Sequence, residues 1–150
     1  MKIYLDNCCY NRPFDDQSQE RVYLESEAIL SILKRGELHE FEIIGSPIIR
    51  MEMGKIRDED KKIKVQNIYH IVHEEFPITE SVKARSAEIM ALSKIQLLDS
   101  FHIAASESAN ADVLLTTDDK MEKMAAKLDL KTENGKPTKI YTGGFINDSN

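Results

Sequence analysis

The sequence predicts an α/β fold in which helices cover both faces of a parallel sheet. Three observations carry that prediction. The strand runs Ile3-Tyr4-Leu5, Phe41 to Gly45 (apolar but for Glu42) and Val113-Leu114-Leu115 are short and lack strict alternation, as strands buried on both faces require. Between them lie segments whose apolar residues recur at helical spacing. Strand and helix patterns alternate along the chain, the order that builds parallel sheets.

Taken in order, Lys2 to Leu5 reads as a first strand ending at Asp6. Asn7 to Gln17 is polar, contains Pro13 and reads as a loop. From Ser18, Val22, Leu24, Ala28, Ile29, Ile32 and Leu33 mark a helix that Gly36 is expected to stop. After the second strand, Ser46-Pro47 opens another helix, since Pro suits a first turn. That helix carries Glu52. Asp58 to His73 reads as a further helix and Phe76 to Thr79 as a strand near a sheet edge, because it contains Pro77. Val82 to Ile95 reads as a helix, followed by one that Asp99 opens. The Val113 strand runs into Thr116-Thr117-Asp118 and a helix from Asp119 to Leu128. A turn at Asn134 to Pro137 and a last strand at Lys139 to Thr142 complete the expected elements, and the tail after Gly144 reads as loose.

At 150 residues the chain is expected to form one domain with a core of its own. Its 41% hydrophobic and 31% charged residues describe a globular protein. No apolar run approaches the roughly 20 residues of a membrane helix. Asp6 interrupts the N-terminal stretch, which does not read as a signal peptide. Cys8 and Cys9 are adjacent, so they cannot close a useful loop and lack the spacing of a metal site. They read as small buried groups at a strand end, and a reducing, cytoplasmic setting follows as an expectation. The net charge of −6 argues against holding nucleic acid by charge alone. It does not exclude meeting phosphate through a bound cation.

The chemistry-bearing residues are acids at element junctions. Asp6 and Asp118 each follow an apolar strand, Asp99 opens a helix, and Glu52 lies one or two turns into the helix after the second strand. Each has an ordinary explanation: Asp99 and Asp118 as helix caps, with Thr117 competing for the second, and Glu52 as a solvated helix residue. Asp6 is harder to explain so, because it ends an apolar strand. In open parallel sheets ligands bind beyond the carboxyl ends of the strands, and these acids fall on that rim. Two carboxylates about 5 Å apart repel by roughly 3 kcal/mol at an effective dielectric near 20. Four together therefore call for a cation. Oxygen ligands without a His or Cys set favour Mg²⁺ or Mn²⁺, which suits phosphodiester cleavage.

In their order and surroundings the acids resemble the quartet of PIN-domain nucleases, the VapC-like ribonucleases among them. The resemblance runs over nearly the whole chain. It rests on YLDN at the end of the first strand, a Glu after the second, DSFHIAAS from Asp99, and VLLTTDD ending at Asp118-Asp119. It implies a three-layer α/β/α sandwich with a central parallel sheet of about five strands. It also implies a metal-dependent endoribonuclease that uses Mg²⁺ or Mn²⁺ to hydrolyse RNA. Asp6, Glu52, Asp99 and Asp118 match the catalytic and metal-binding positions; Glu42 and Glu59 lie near Glu52, whose helical setting favours it. Small relatives of this kind are often toxins of toxin–antitoxin pairs, so a small antitoxin and a homodimer are implied partners. Two departures stand out: Asn7 follows the first Asp where the family often has Thr or Ser, and no Asn-Pro occurs near KIYTGGF.

Other residues stay open at this level. Asp119 either joins a metal site or favours a helix start. His102 shares a helical face with Asp99 and either approaches the site or is a satisfied core residue. Arg12 and Arg50 either meet phosphate or pair with surface acids; Asp15 and Asp16 read as solvated. Two other functions compete with the nuclease. One is a PIN fold kept as a non-catalytic binding or scaffolding module. The other is an aspartyl phosphatase, which would want an acid or Thr where Cys8 stands.

Overall fold

The computed structural model describes residues 1–140. Five parallel strands form one sheet in the order β3-β2-β1-β4-β5. They are β1 (Lys2–Leu5), β2 (Glu42–Gly45), β3 (Glu74–Glu75), β4 (Val113–Leu115) and β5 (Glu133–Gly135). Ile3, Tyr4 and Leu5 are each fully buried although successive side chains point to opposite faces, so helices cover both sides of the centre. Seven helices among the described residues flank the sheet: α1 (Asn7–Asn11), α2 (Glu20–Glu37), α3 (Pro47–Gly54), α4 (Glu59–Tyr69), α5 (Glu80–Leu92), α6 (Leu97–Ser108) and α7 (Asp119–Ala125). The α/β sandwich expected from the sequence is thus present.

Chain order and sheet order together locate the rim that matters. From β1 the chain steps outward to β2 and β3, then returns through α5 and α6 to lay β4 along the other side of β1. Ile3 pairs with Val113 and Leu5 with Leu115. The connections leaving β1 and β4 therefore diverge at their carboxyl ends, where a crevice opens.

Several elements differ from expectation, each for a physical reason. Asn7 to Asn11 is a helical turn and Arg12–Phe14 a 3-10 turn instead of loop. Cys9 and Tyr10 bury inward there, and the Asn11 amide bonds the Asn7 carbonyl, so local polarity is a poor guide. Helix α2 runs through Gly36; the left-handed residue that ends it is His39, at φ 59°. Gly36 instead admits β2, since a Cβ there would lie 2.7 Å from Ile43 Cγ1. The edge strand sits at Glu74–Glu75, before the expected Phe76 to Thr79. Phe76 N–H still donates to the Gly45 carbonyl, but Pro77 has no N–H to extend the ladder. The fifth strand is Glu133–Gly135, overlapping the start of the expected turn, and Pro137–Ile140 is a 3-10 turn where a strand was expected to begin. Residues 141 and 142 of that expected strand, the KIYTGGF departure beyond Ile140 and the tail lie outside the described residues.

Candidate active site

Asp6 sits at the N-cap of α1, immediately after β1, yet its side chain makes no capping bond. Its backbone N–H donates 3.0 Å to the Leu115 carbonyl, continuing the β1–β4 ladder one step past the strands. The carboxylate, in a residue 6% exposed, accepts from Thr116 Oγ1 at 2.9 Å. Thr116 Oγ1 in turn accepts the Asp118 N–H at 3.1 Å. One hydroxyl thereby ties the acid after β1 to the acid after β4. Cys8 Sγ lies 3.4 Å from the same hydroxyl, and Cys9 Sγ donates to the Leu115 carbonyl. The cysteines are packing and hydrogen-bonding groups beside the strand end.

Glu52 comes from α3. Ser46 stands at that helix's N-cap without capping it, because its hydroxyl bonds the Tyr4 hydroxyl at 2.7 Å. Forgoing a cap costs about 1 kcal/mol, so the Tyr4 contact must offset it. Glu52 Oε1 lies 2.5 Å from His102 Nε2, and Asp6 Oδ1 lies 3.8 Å from the same nitrogen. Asp6, Glu52 and His102 present one ligand atom each within 4.8 Å of one another. Burial opposes protonation of His102, but the Glu52 hydrogen bond and the charges of Asp6, Glu52 and Asp99 outweigh it and raise its pKa.

Asp99 lies in the first turn of α6, three residues after the N-cap Gln96, so it is not the cap considered from the sequence. Burial pushes its carboxyl up to about 6, and the charges of Asp6, Asp118 and Glu52 add to the rise while His102 opposes it. Asp118 does cap α7, through Oδ1 to the N–H groups of Lys120 and Met121. Its other oxygen has no hydrogen bond among the described residues. Asp99 and Asp118 line a small cleft with Lys94, Gln96, Lys120, Met121 and Met124. The sequence-derived acids therefore form two linked groups: a tight inner set of Asp6 and Glu52 around His102, and the Asp99–Asp118 pair in the adjoining cleft, close enough to share one field.

The remaining candidates resolve into ion pairs. Asp119 accepts both terminal nitrogens of Arg21 at 2.8 Å and also meets Lys136. These bonds, Arg21 first, hold its carboxyl far below the usual range. Arg12 pairs with the buried Glu25 at 2.7 Å and Arg50 with Glu75 at 2.6 Å. Asp15 pairs with Arg12 and Lys61, and Asp16 accepts from Ser18. The sequence marks Ser46 as a helix start and Thr116 as part of the pattern running to Asp118 that the resemblance rests on, but not the contacts they make with Tyr4 and Asp6. Tyr4 leaves a faint signal: a hydroxyl in an otherwise apolar strand, two residues before Asp6 and so on the same face.

With this geometry in view, the family comparison is decisive: the PIN domain model matches residues 18–127. The chain belongs to the PIN domain family. Glu52, Asp99, His102 and Asp118 fall inside the matched stretch of this PIN domain, whereas Asp6 precedes it and joins them through β1. Among solved structures, a chain of the crystal structure of VapBC2 from Rickettsia felis, bound to a DNA fragment from their promoter, has a similar fold. The TM-score is 0.63 at 12% identity, covering 89% of this PIN domain chain and 97% of that one. No curated protein matches the sequence.

Proposed function

We propose that this PIN domain is a metal-dependent endoribonuclease, a hydrolase of RNA phosphodiester bonds, with Asp6, Glu52, Asp99 and Asp118 as its catalytic and metal-binding residues. The observation that carries the reading is the gathering of carboxylates from β1, α3, α6 and the start of α7 at the crevice between β1 and β4. The donor set fits a hard divalent cation. Its oxygens outnumber the nearby compensating charge, and Asp99 is kept from ionising readily by burial and the acids around it. Asp6, Asp99 and Asp118 would be the principal ligands, with Glu52 completing the shell or orienting the attacking water. When bound, Mg²⁺ or Mn²⁺ lowers the pKa of a water and offsets charge growing on the phosphate. The protein's own part is to hold the oxygens. Thr116 fixes Asp6, and α7 fixes Asp118 by its cap.

Membership of the PIN family and the fold likeness to VapBC2 support a toxin of a toxin–antitoxin pair, restrained by a small antitoxin; the homodimer is proposed on the family resemblance alone. No helix among the described residues is long and apolar enough to cross a membrane. The test is incubation of purified protein with mixed RNAs, with and without Mn²⁺, beside Asp99→Asn. Fragments from the parent alone, and only with metal, are expected; cleavage by both proteins would overturn the assignment. Mn²⁺ at 100 times its dissociation constant should also add about 2.7 kcal/mol to unfolding, seen as a raised melting midpoint. A binding module without the site would show no such rise.

A further inference from the structure

We infer that Tyr4 and His102 are positioning residues that hold the Glu52 carboxylate within the candidate metal site, with Ser46 closing the arrangement into a ring. The inference rests on the metal-site reading above. Its geometry is a closed path of short contacts. Ser46 Oγ meets Tyr4 Oη at 2.7 Å, Tyr4 Oη meets His102 Nδ1 at 2.7 Å, and His102 Nε2 meets Glu52 Oε1 at 2.5 Å. Ser46 and Glu52 both belong to α3, as its N-cap and a residue within it, so the path leaves the helix, passes through β1 and α6, and returns to the same helix. Ser46, Tyr4 and His102 are each fully buried.

The direction of each bond follows from the groups. Nε2 faces two carboxylates, Glu52 at 2.5 Å and Asp6 at 3.8 Å. Ionised carboxylates only accept, so Nε2 carries a proton and donates it to Glu52. With its lone pair engaged as N–H, His102 is a support for a ligand and not a ligand itself, although its nitrogen lies within reach of the acids. On the ring's other side Nδ1 meets the Tyr4 hydroxyl, which meets Ser46 in turn. Outer groups of this kind fix the orientation and basicity of the oxygens that meet a metal. A free glutamate on a short helix would sample several rotamers; the ring selects one.

The experiment uses the full chain and Mn²⁺ alone, with free Mn²⁺ followed by electron paramagnetic resonance. His102→Asn keeps an amide near the Nδ1 position and loses the donor to Glu52, so its Mn²⁺ affinity should fall about 10-fold, as should that of Tyr4→Phe. His102→Gln places an amide N–H near the Nε2 position and should recover most of the loss. Nitrogen NMR of the metal-free parent should show Nε2 carrying a proton, and this readout needs no variant to fold. Unchanged affinity in folded His102→Asn and Tyr4→Phe, equal losses in the Gln and Asn variants, or a proton on Nδ1 with Nε2 bare would each overturn the inference. A parent that binds no Mn²⁺ would instead sink the metal-site reading on which it stands.

Discussion

Asp99 holds its proton up to about pH 6 because burial and three neighbouring acids disfavour its charge. Between the ordinary value of 3.8 and about 6 the folded chain therefore binds more protons here than the unfolded chain. Stability of the metal-free protein should fall as pH rises through that window and level off above it. A shift of this size corresponds at most to about 3 kcal/mol; partial exposure screens it to about 1–2 kcal/mol. Asp99→Asn should accordingly stabilise the metal-free protein by that amount at pH 7.5 and by almost nothing at pH 4, measured by urea denaturation. The same substitution should reduce the stabilisation that Mn²⁺ confers. Thr116 offers a second residue-level test. Thr116→Val removes the donor to Asp6 and the acceptor for the Asp118 N–H at one stroke. A loss of about 1–3 kcal/mol in urea denaturation is expected, together with weakened Mn²⁺ binding. At this scale Asp6, Asp99 and Asp118 stand out by their junction positions, Glu52 only by its helical setting and the family resemblance, and Thr116's bridging contact not at all. A threonine after an apolar strand has many uses, and only the strand beside it decides which.

At the scale of elements, α3 is the piece that brings Glu52 to the rim, and its approach to the sheet depends on Gly45. A Cβ at Gly45 would stand 2.2 Å from the Tyr69 hydroxyl, which itself bonds Glu75 and the Ser46 carbonyl. Gly45→Ala should cost about 1–3 kcal/mol by overpacking and disturb the start of α3. Gly54, at the other end of the helix, is open: a Cβ there would meet nothing within 4 Å. Gly54→Ala should therefore be neutral or stabilise by up to about 1 kcal/mol, through a less flexible unfolded chain. Urea midpoints of the two variants side by side make the check. The elements legible in the sequence are those with long apolar periodicity or a continuous apolar run: β1, α2, β2, α6 and β4. Those misread, α1, β3 and β5, are short and mostly polar. Five residues in α1 and three in β5 hold their form through contacts with the rest of the chain, and such contacts leave no periodic trace.

Across the whole molecule, charge decides how an acidic protein could meet a polyanion. The net charge is −6, and Arg12, Arg21, Arg50 and Lys136 are each engaged with an acid. Lys94 and Lys120 flank the cleft of Asp99 and Asp118 and have no ion pair among the described residues. If RNA enters along that cleft, Lys94→Ala and Lys120→Ala should each weaken binding and lower the slope of log affinity against log salt by about 1. Anisotropy titrations at several salt concentrations, on an Asp99→Asn background to prevent cleavage, would measure it. Asp119→Asn should leave Mn²⁺ affinity little changed, because its carboxylate is already held by Arg21 and Lys136.

Local pattern alone is enough for the parallel α/β class, for Asp6 and Asp118 at strand ends, and for a helix presenting Asp99 with His102 one turn on. Those features depend on the spacing of neighbours along the chain, which burial of apolar faces translates directly into helix or strand. Folding adds the choice of partners. It sets β4 against β1 across 110 residues, draws Glu52 to His102, gives Ser46 to Tyr4 instead of to its own helix, and delivers Asp119 to Arg21. Each of these is a contact between segments distant in sequence, chosen by how whole elements pack, and no window of neighbouring residues contains that information.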